Sequence, residues 1–158
     1  MIDGHRVEYR ETPVSDPVAH ELLAEYFQFR AATFPVASGY RTTFPAPEQF
    51  VPPRGVFLVV VDDEDVLGCG GVRDLGDGRF EIKHLWMHPA AQGRGLGKAL
   101  LATLEDRAAE FGATELVLDT NGSLEAAGRL YRSSGYELIE PYNDNPNATH
   151  WYGKAVVR

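Results

Sequence analysis

Between His88 and Leu101 the chain reads HPAAQGRGLGKALL, which sets Gly93, Gly95 and Gly97, with Arg94 and Lys98, directly ahead of an apolar run. A helix starting there presents unpaired N–H groups and the positive end of its dipole, a geometry that holds an anion. Glycines let a ligand approach the backbone and permit positive φ, and the two cations add charge. A ligand-free glycine turn explains one glycine well. Three at alternating positions between a strand and an amphipathic helix favour the anion site. Two nucleotide loops are excluded. The dinucleotide fingerprint G-x-G-x-x-G needs glycine where Lys98 stands, and the P-loop G-x-x-x-x-G-K-[ST] needs glycine at Gln92 and a hydroxyl at Ala99. No metal site is expected: His84 and His88 on one strand would lie ~13 Å apart, too far to share an ion. Cys69 in LGCGGV reads as a small buried strand residue, since no histidine motif accompanies it.

These residues need elements to position them. Residues 5–14, HRVEYRETPV, read as a first strand. Asp16 is a natural N-cap with Pro17 at the first helical position, and the stripes Val18, Leu22, Tyr26 and Ala19, Leu23, Phe27 make an amphipathic helix to about Phe34. Residues 35–53, rich in proline, glycine and aromatics, predict a shaped loop with a short helical turn. GVFLVVVDDEDVLGCGGVRDL predicts a hairpin turning at Asp62 to Asp65. FEIKHLWM then reads as a strand with Phe80, Ile82, His84 and Trp86 on one side and Glu81, Lys83, Leu85 and Met87 on the other. The helix after the glycines stops at Gly112. TELVLDT, a helix over SLEAAGRLYRSSG, YELIE and THWYGKAVV complete the order, which predicts a single mixed α+β domain over residues 1–158, with helices on both faces of one sheet.

Composition bounds the function. The 158 residues suffice for one core without metal or disulfide staples. A formal net charge of −8 argues against a nucleic-acid surface. One cysteine, no apolar leader and no membrane-length run lead us to expect a soluble, cytoplasmic protein with neither nucleic-acid nor membrane partners.

The loop also fits Q/R-x-x-G-x-G/A through Gln92, Gly95 and Gly97, and so resembles the acetyl-CoA pyrophosphate loop of the GNAT superfamily of N-acetyltransferases. EIKHLWMHP resembles that family's fourth strand, LVLDT its fifth, and AAGRLYRSSGY its A-x-x-x-Y-x-x-x-G-F/Y segment. The specific motifs fall within residues 81–136, and the element order matches over nearly the whole chain. The resemblance implies one mostly antiparallel sheet of six to seven strands, splayed between the fourth and fifth. It implies that Gln92, Gly93, Arg94, Gly95, Leu96, Gly97 and Lys98 hold the pyrophosphate. Main-chain groups of Leu85, Trp86 and Met87 would run beside the pantetheine arm, with an N–H near Leu85 polarising the thioester. Tyr131 falls on the family's general acid, which protonates the departing thiolate, against the plainer reading of a half-buried aromatic. Glu81 falls where some members place a general base, against the reading of an exposed strand carboxylate. Leu124 stands where the family often has a pantetheine-contacting asparagine; either Asn121 or Ser123 substitutes for it, or the contact is absent.

The acceptor would enter between FPVASGYRTTFPAPEQF and EPYNDNPNATHWY, where Arg41 could fork a carboxylate or merely be a solvated loop residue. The activity implied is acetyl transfer from acetyl-CoA to a primary amine of a small molecule or peptide, by direct attack in a ternary complex and without a metal. Transfer of another acyl group and a non-catalytic CoA-binding regulatory module are the rivals, and a homodimer stays open.

Overall fold

A computed structural model of the chain describes residues 7–157. Its strands are β1 (Val7–Glu11), β2 (Gly55–Asp62), β3 (Asp65–Gly76), β4 (Arg79–Met87), β5 (Glu115–Thr120), β6 (Glu137–Leu138) and β7 (His150–Ala155). The helices are α1 (Pro17–Thr33), α2 (Leu96–Glu110) and α3 (Glu125–Ser133), and a short 3-10 turn at Pro47–Phe50 interrupts the proline-rich loop. The first strand's two leading residues, His5 and Arg6, lie outside the described residues. One seven-stranded sheet runs β1-β2-β3-β4-β5-β7-β6 and is antiparallel except where β4 meets β5. The mixed α+β fold expected from the element order is therefore the one adopted.

Both sheet faces are covered, and β2 shows why GVFLVVV is continuously apolar. Val56, Leu58 and Val60 pack with Leu100, Leu101 and Leu104 of α2 and Tyr131 of α3. Phe57, Val59 and Val61 pack on the other side with Ala19, Leu22, Leu23 and Phe27 of α1. A strand buried on both faces has no polar side to alternate with. Each such side chain contributes about 1.5–3 kcal/mol on burial. Asp16 caps α1 as expected, its Oδ1 accepting from the Val18 N–H at 2.9 Å. Val18 itself lies outside the stripe, 42% exposed, and Arg30 takes a buried place on it.

Two irregularities of β4 shape the site. Parallel pairing with β5 covers only Arg79 to Glu81, opposite Glu115 to Val117, although both strands run on. The sheet therefore parts between them. On its other edge, β4 carries a bulge: Lys83 opposes Gly71 and Trp86 opposes Cys69, so His84 and Leu85 together face Gly70. His84 takes φ +57° there. An extra residue reverses the alternation beyond it. Leu85 and Met87 thus join Phe80 and Ile82 on the α2 side, while Trp86 packs with α1. The uniform alternation read from FEIKHLWM, with Trp86 beside Phe80 and Ile82, is corrected by this bulge.

Candidate active site

The parting of β4 and β5 opens into a cavity of 710 Å³ that reaches both sides of the sheet. From the α2 and α3 side it is lined by Leu85, Met87, Gln92, Gly97, Leu130 and Tyr131, and from the α1 side by Tyr26, Arg30, Tyr40, His84 and Asp119. Trp86 lines it too, 8% exposed, with no hydrogen-bond partner for its indole N–H among the described residues.

The glycine loop enters α2 through left-handed backbone, Gly93 at φ +87° and Gly95, the N-cap, at φ +75°. A side chain at either would meet nothing within 4 Å, so conformation rather than space favours glycine there. No side chain caps α2, and its first turn keeps its N–H groups clear of one. The Gln92 amide donates to the Met87 carbonyl at 3.2 Å, tying the loop to the end of β4. Of the loop residues expected to hold the pyrophosphate, Gln92 and Gly97 line the cavity; Gly93, Arg94, Gly95, Leu96 and Lys98 do not. The Arg94 guanidinium is ion-paired with Asp62 at 3.0 Å, whereas Lys98 is exposed and has no ion pair among the described residues. Leu96 packs into the core beneath α2.

Tyr131 is 7% exposed, its ring 6.1 Å from Tyr136 and 6.0 Å from Tyr152. Its hydroxyl makes no hydrogen bond to a described residue, and burial raises its pKa, so it holds its proton at neutral pH. Glu81 is 1% exposed and fully engaged. One carboxylate oxygen accepts from Arg73 at 2.8 and 2.9 Å, and the other accepts from the Tyr142 hydroxyl at 2.7 Å. Burial first, and then the Glu81 carboxylate, raises the Tyr142 pKa. Glu81 faces a second, smaller cavity beside Arg79 and Glu115, not the one in the splay.

Asn121 also departs from its expected place. It is buried outside the cavity, its amide donating to the Asn147 carbonyl at 3.2 Å and accepting from the Ser123 N–H at 3.0 Å. Both ends of that side chain serve to fix the segment after β5, and Ser123 and Leu124 line the cavity instead. His84 sits in an aromatic nest, its ring 5.7 Å from Tyr26, 5.6 Å from Phe27 and 6.3 Å from Phe50. Burial, helped by Lys83, Arg73 and Arg30, lowers its pKa to about 3, so it is neutral. Cys69 is buried with its thiol pKa pushed up by burial, the wrong direction for a nucleophile. Among the described residues no group of three or more His, Cys, Asp or Glu could hold a metal ion, and no helix is long and apolar enough to cross a membrane.

Sequence reading overlooked two residues that the cavity brings forward. Asp119 lies near the end of β5, where the Asn145 and Asn143 amides donate to its two oxygens at 3.0 and 2.7 Å. Asn143 is held in turn by the Trp151 indole N–H at 2.9 Å. Arg30, 8% exposed, continues the stripe Leu22, Tyr26, Arg30 of α1, and a charge on an apolar stripe was the available signal. The two loops expected to wall the acceptor are joined. The Asn147 amide accepts from the Arg41 N–H at 3.0 Å and donates to the Arg41 carbonyl at 2.8 Å.

Known proteins are similar to this chain in sequence and in fold. An uncharacterised N-acetyltransferase of Schizosaccharomyces pombe is 37% identical over 100 residues, covering 62% of this chain; the match spans only 61% of that relative's length. Among solved structures, an acetyltransferase of the GNAT family from Staphylococcus aureus Mu50 superposes with a TM-score of 0.82 at 16% identity, over 96% of this chain and all of the other. An acetyltransferase from Salmonella typhimurium, solved with its cofactor acetyl-CoA, superposes with a TM-score of 0.65 at 17% identity, over 99% of this chain and 96% of the other. At those identities the likeness is one of fold. The model of the acetyltransferase (GNAT) family matches residues 17–136, from the start of α1 through the glycine loop and Tyr131, and the chain belongs to that family.

Proposed function

We propose that this protein moves an acetyl group from acetyl-CoA to a primary amine of a small molecule or peptide by direct attack in a ternary complex. The observation that carries the reading is a cavity that passes through the sheet at the splay. It has a glycine-led helix start and the Tyr131 hydroxyl on one side, and a carboxylate, Asp119, on the other. The residues present fit the coenzyme. The uncapped first turn of α2 offers amides to a pyrophosphate and Lys98 adds charge beside it. The edge of β4 beyond Glu81 has no strand partner and suits the pantetheine arm as an added strand. The Salmonella protein of the same fold was solved with acetyl-CoA, which supports acetyl-CoA as the donor.

In the step itself the amine lone pair attacks the thioester carbon, forming C–N as C–S breaks. An N–H near Leu85 stabilises the charge developing on the carbonyl oxygen. Tyr131 gives its proton to the leaving thiolate. The amine's surplus proton goes to Asp119, which lines the cavity, rather than to Glu81, which faces the smaller cavity beside Arg79 and Glu115. Glu81 acts through Arg73, which does line the cavity, as a positioning residue.

Thiol release with acetyl-CoA and a panel of primary amines tests the reading. Amine-dependent release, with acetylated amine recovered in equal amount, is the expected result. Calorimetric binding of acetyl-CoA with no amine-stimulated release would instead describe a regulatory binding module.

A further inference from the structure

We infer that Arg30 is the carboxylate-recognition residue of the acceptor site, so that the acceptor is an amino-acid-like molecule bearing a carboxylate beside its primary amine. The inference rests on the acyl-transfer reading for its orientation in the cavity, but on Arg30 itself for the chemistry.

Arg30 lies one turn from the end of α1, 8% exposed, and lines the cavity on the α1 side of the sheet. A guanidinium cannot shed its charge by deprotonation, so burying one demands a compensating partner. The protein supplies little. Its Nη1 donates to the Tyr26 hydroxyl at 3.2 Å, and its Cζ lies 4.9 Å from the centre of the Tyr40 ring. Neither is an anion, and no described carboxylate pairs with Arg30. The Nε and Nη2 donors, which form the side-on fork for a planar carboxylate, have no protein partner among the described residues. The guanidinium lies over the Tyr40 ring and is tied to the Tyr26 hydroxyl. The other arginines on this wall differ. Arg73 is committed to Glu81 and Gln49, and Arg41 is exposed, with its backbone rather than its side chain clamped by Asn147.

Asp119 supplies the opposite charge. Its carboxylate, oriented by Asn143 and Asn145, lines the same cavity. Both charges act on the same three tyrosines, Asp119 raising and Arg30 lowering the pKa of Tyr26, of Tyr40 and of Tyr131, so both reach into one cavity. A zwitterion fits that pair, with its carboxylate on Arg30 and its ammonium toward Asp119, where the proton must leave. An amine without a carboxylate would leave the Arg30 fork without its anion, and a site that hydrogen-bonds one substrate group discriminates strongly against a ligand lacking it.

The test compares L-amino acids with their carboxamides on the whole protein saturated with free CoA, by calorimetry, so that binding is read without turnover. The expected result is that at least one acid of the panel binds at least tenfold more tightly than its amide. Arg30→Gln should remove that ratio by weakening the acid alone, and Arg30→Lys, which keeps charge without the fork, should restore only part of it. Circular dichroism establishes that each variant is folded, and the wild-type acid-to-amide ratio needs no variant. Equal binding of acids and amides, or binding of neither, overturns the inference. So does an Arg30→Gln protein that is folded and weakens both ligands alike. Preferential acid binding that requires Arg30, without acetyl transfer to any amine, would uphold the carboxylate site while rejecting the proposed reaction.

Discussion

Removing one oxygen atom from Tyr131 separates catalysis from packing. Tyr131→Phe keeps the ring against Tyr136 and Tyr152, and the hydroxyl that is lost bonds to no described residue. Melting temperature and acetyl-CoA affinity should therefore hold, while kcat falls ~10²–10⁴-fold, the range for losing a positioned proton donor. Wild-type turnover on an amine whose chemistry is rate-limiting would reduce Tyr131 to a core aromatic. The two carboxylates are separated by the same logic. Asp119→Asn preserves shape and still meets the asparagine amides on one side, so it should lower turnover by ~10²-fold or more with acetyl-CoA affinity intact. Glu81→Gln should act first on stability, because it leaves the Arg73 guanidinium without its anion. A fully buried pair broken this way costs ~3–5 kcal/mol; with Arg73 26% exposed we expect about 2–3. Parallel urea melts and initial rates on both variants decide the matter. A stable Glu81→Gln protein with collapsed turnover would return the base to Glu81.

At the scale of elements, the site depends on β4 leaving its neighbours in a defined way, and Gly68 guards that departure. Gly68 opposes Met87, and a Cβ there would stand 2.4 Å from the Trp86 carbonyl oxygen and 3.0 Å from the Met87 Cα. Backbone cannot swing aside as a side-chain tip can, so Gly68→Ala should push β3 and β4 apart just past the bulge. The expected loss is about 1–3 kcal/mol, with weaker acetyl-CoA binding as the β4 edge shifts. Gly97→Ala is the matched contrast, since its Cβ would rest at 3.7 Å from Met87 and 3.9 Å from Leu130, ordinary contact distances. It should melt within a few degrees of wild type, and its effect should fall on coenzyme affinity. Calorimetry and thermal melts on the pair test this, and a Gly68→Ala protein normal in both respects would disprove the role given to the bulge. The same elements show what a sequence discloses. The Asp16 cap, the glycine start of α2 and the length of β2 follow from local chemistry and were legible. The bulge at His84 was not, because an extra residue leaves no mark on a run of mixed polar and apolar residues; only pairing with Gly70 on another strand reveals it. Arg30 was hidden by the reverse problem: its place on the stripe Leu22, Tyr26 points inward, but its residue type points to solvent, and tertiary packing decides for the inside. Asn121 reads as a ligand contact from its position, but its amide N–H is spent on the Asn147 carbonyl, 26 residues on, and its oxygen on the Ser123 N–H.

For the molecule as a whole, the basic wall of the cavity stands inside an acidic protein, and that placement makes folding sensitive to acid. His84 is neutral in the folded state, with a pKa of about 3 set first by burial and then by Lys83, Arg73 and Arg30. In the unfolded chain the same ring titrates near 6.5. Above 6.5 neither state binds the proton, and His84 contributes no pH dependence. As pH falls below 6.5 the unfolded state takes up a proton that the folded state refuses, so stability drops, and goes on dropping until about pH 3. The limiting slope for one proton is ~1.4 kcal/mol per pH unit. Since the ring lines a cavity rather than sealed core, we expect about 1–2 kcal/mol between pH 6 and 4.5. His84→Asn isolates this share, because asparagine tolerates the φ of +57° that the bulge demands yet does not titrate in this range. The variant loses aromatic packing against Tyr26 and Phe27, so it should begin less stable at pH 7. Its decline with acid should be shallower than that of wild type, while the carboxylates common to both proteins contribute equally. Urea unfolding at half-unit steps from pH 7 to 4.5 gives the two curves. Convergence toward low pH is the expected outcome, and parallel curves would mean that His84 accepts its proton in the folded protein as readily as in the unfolded one.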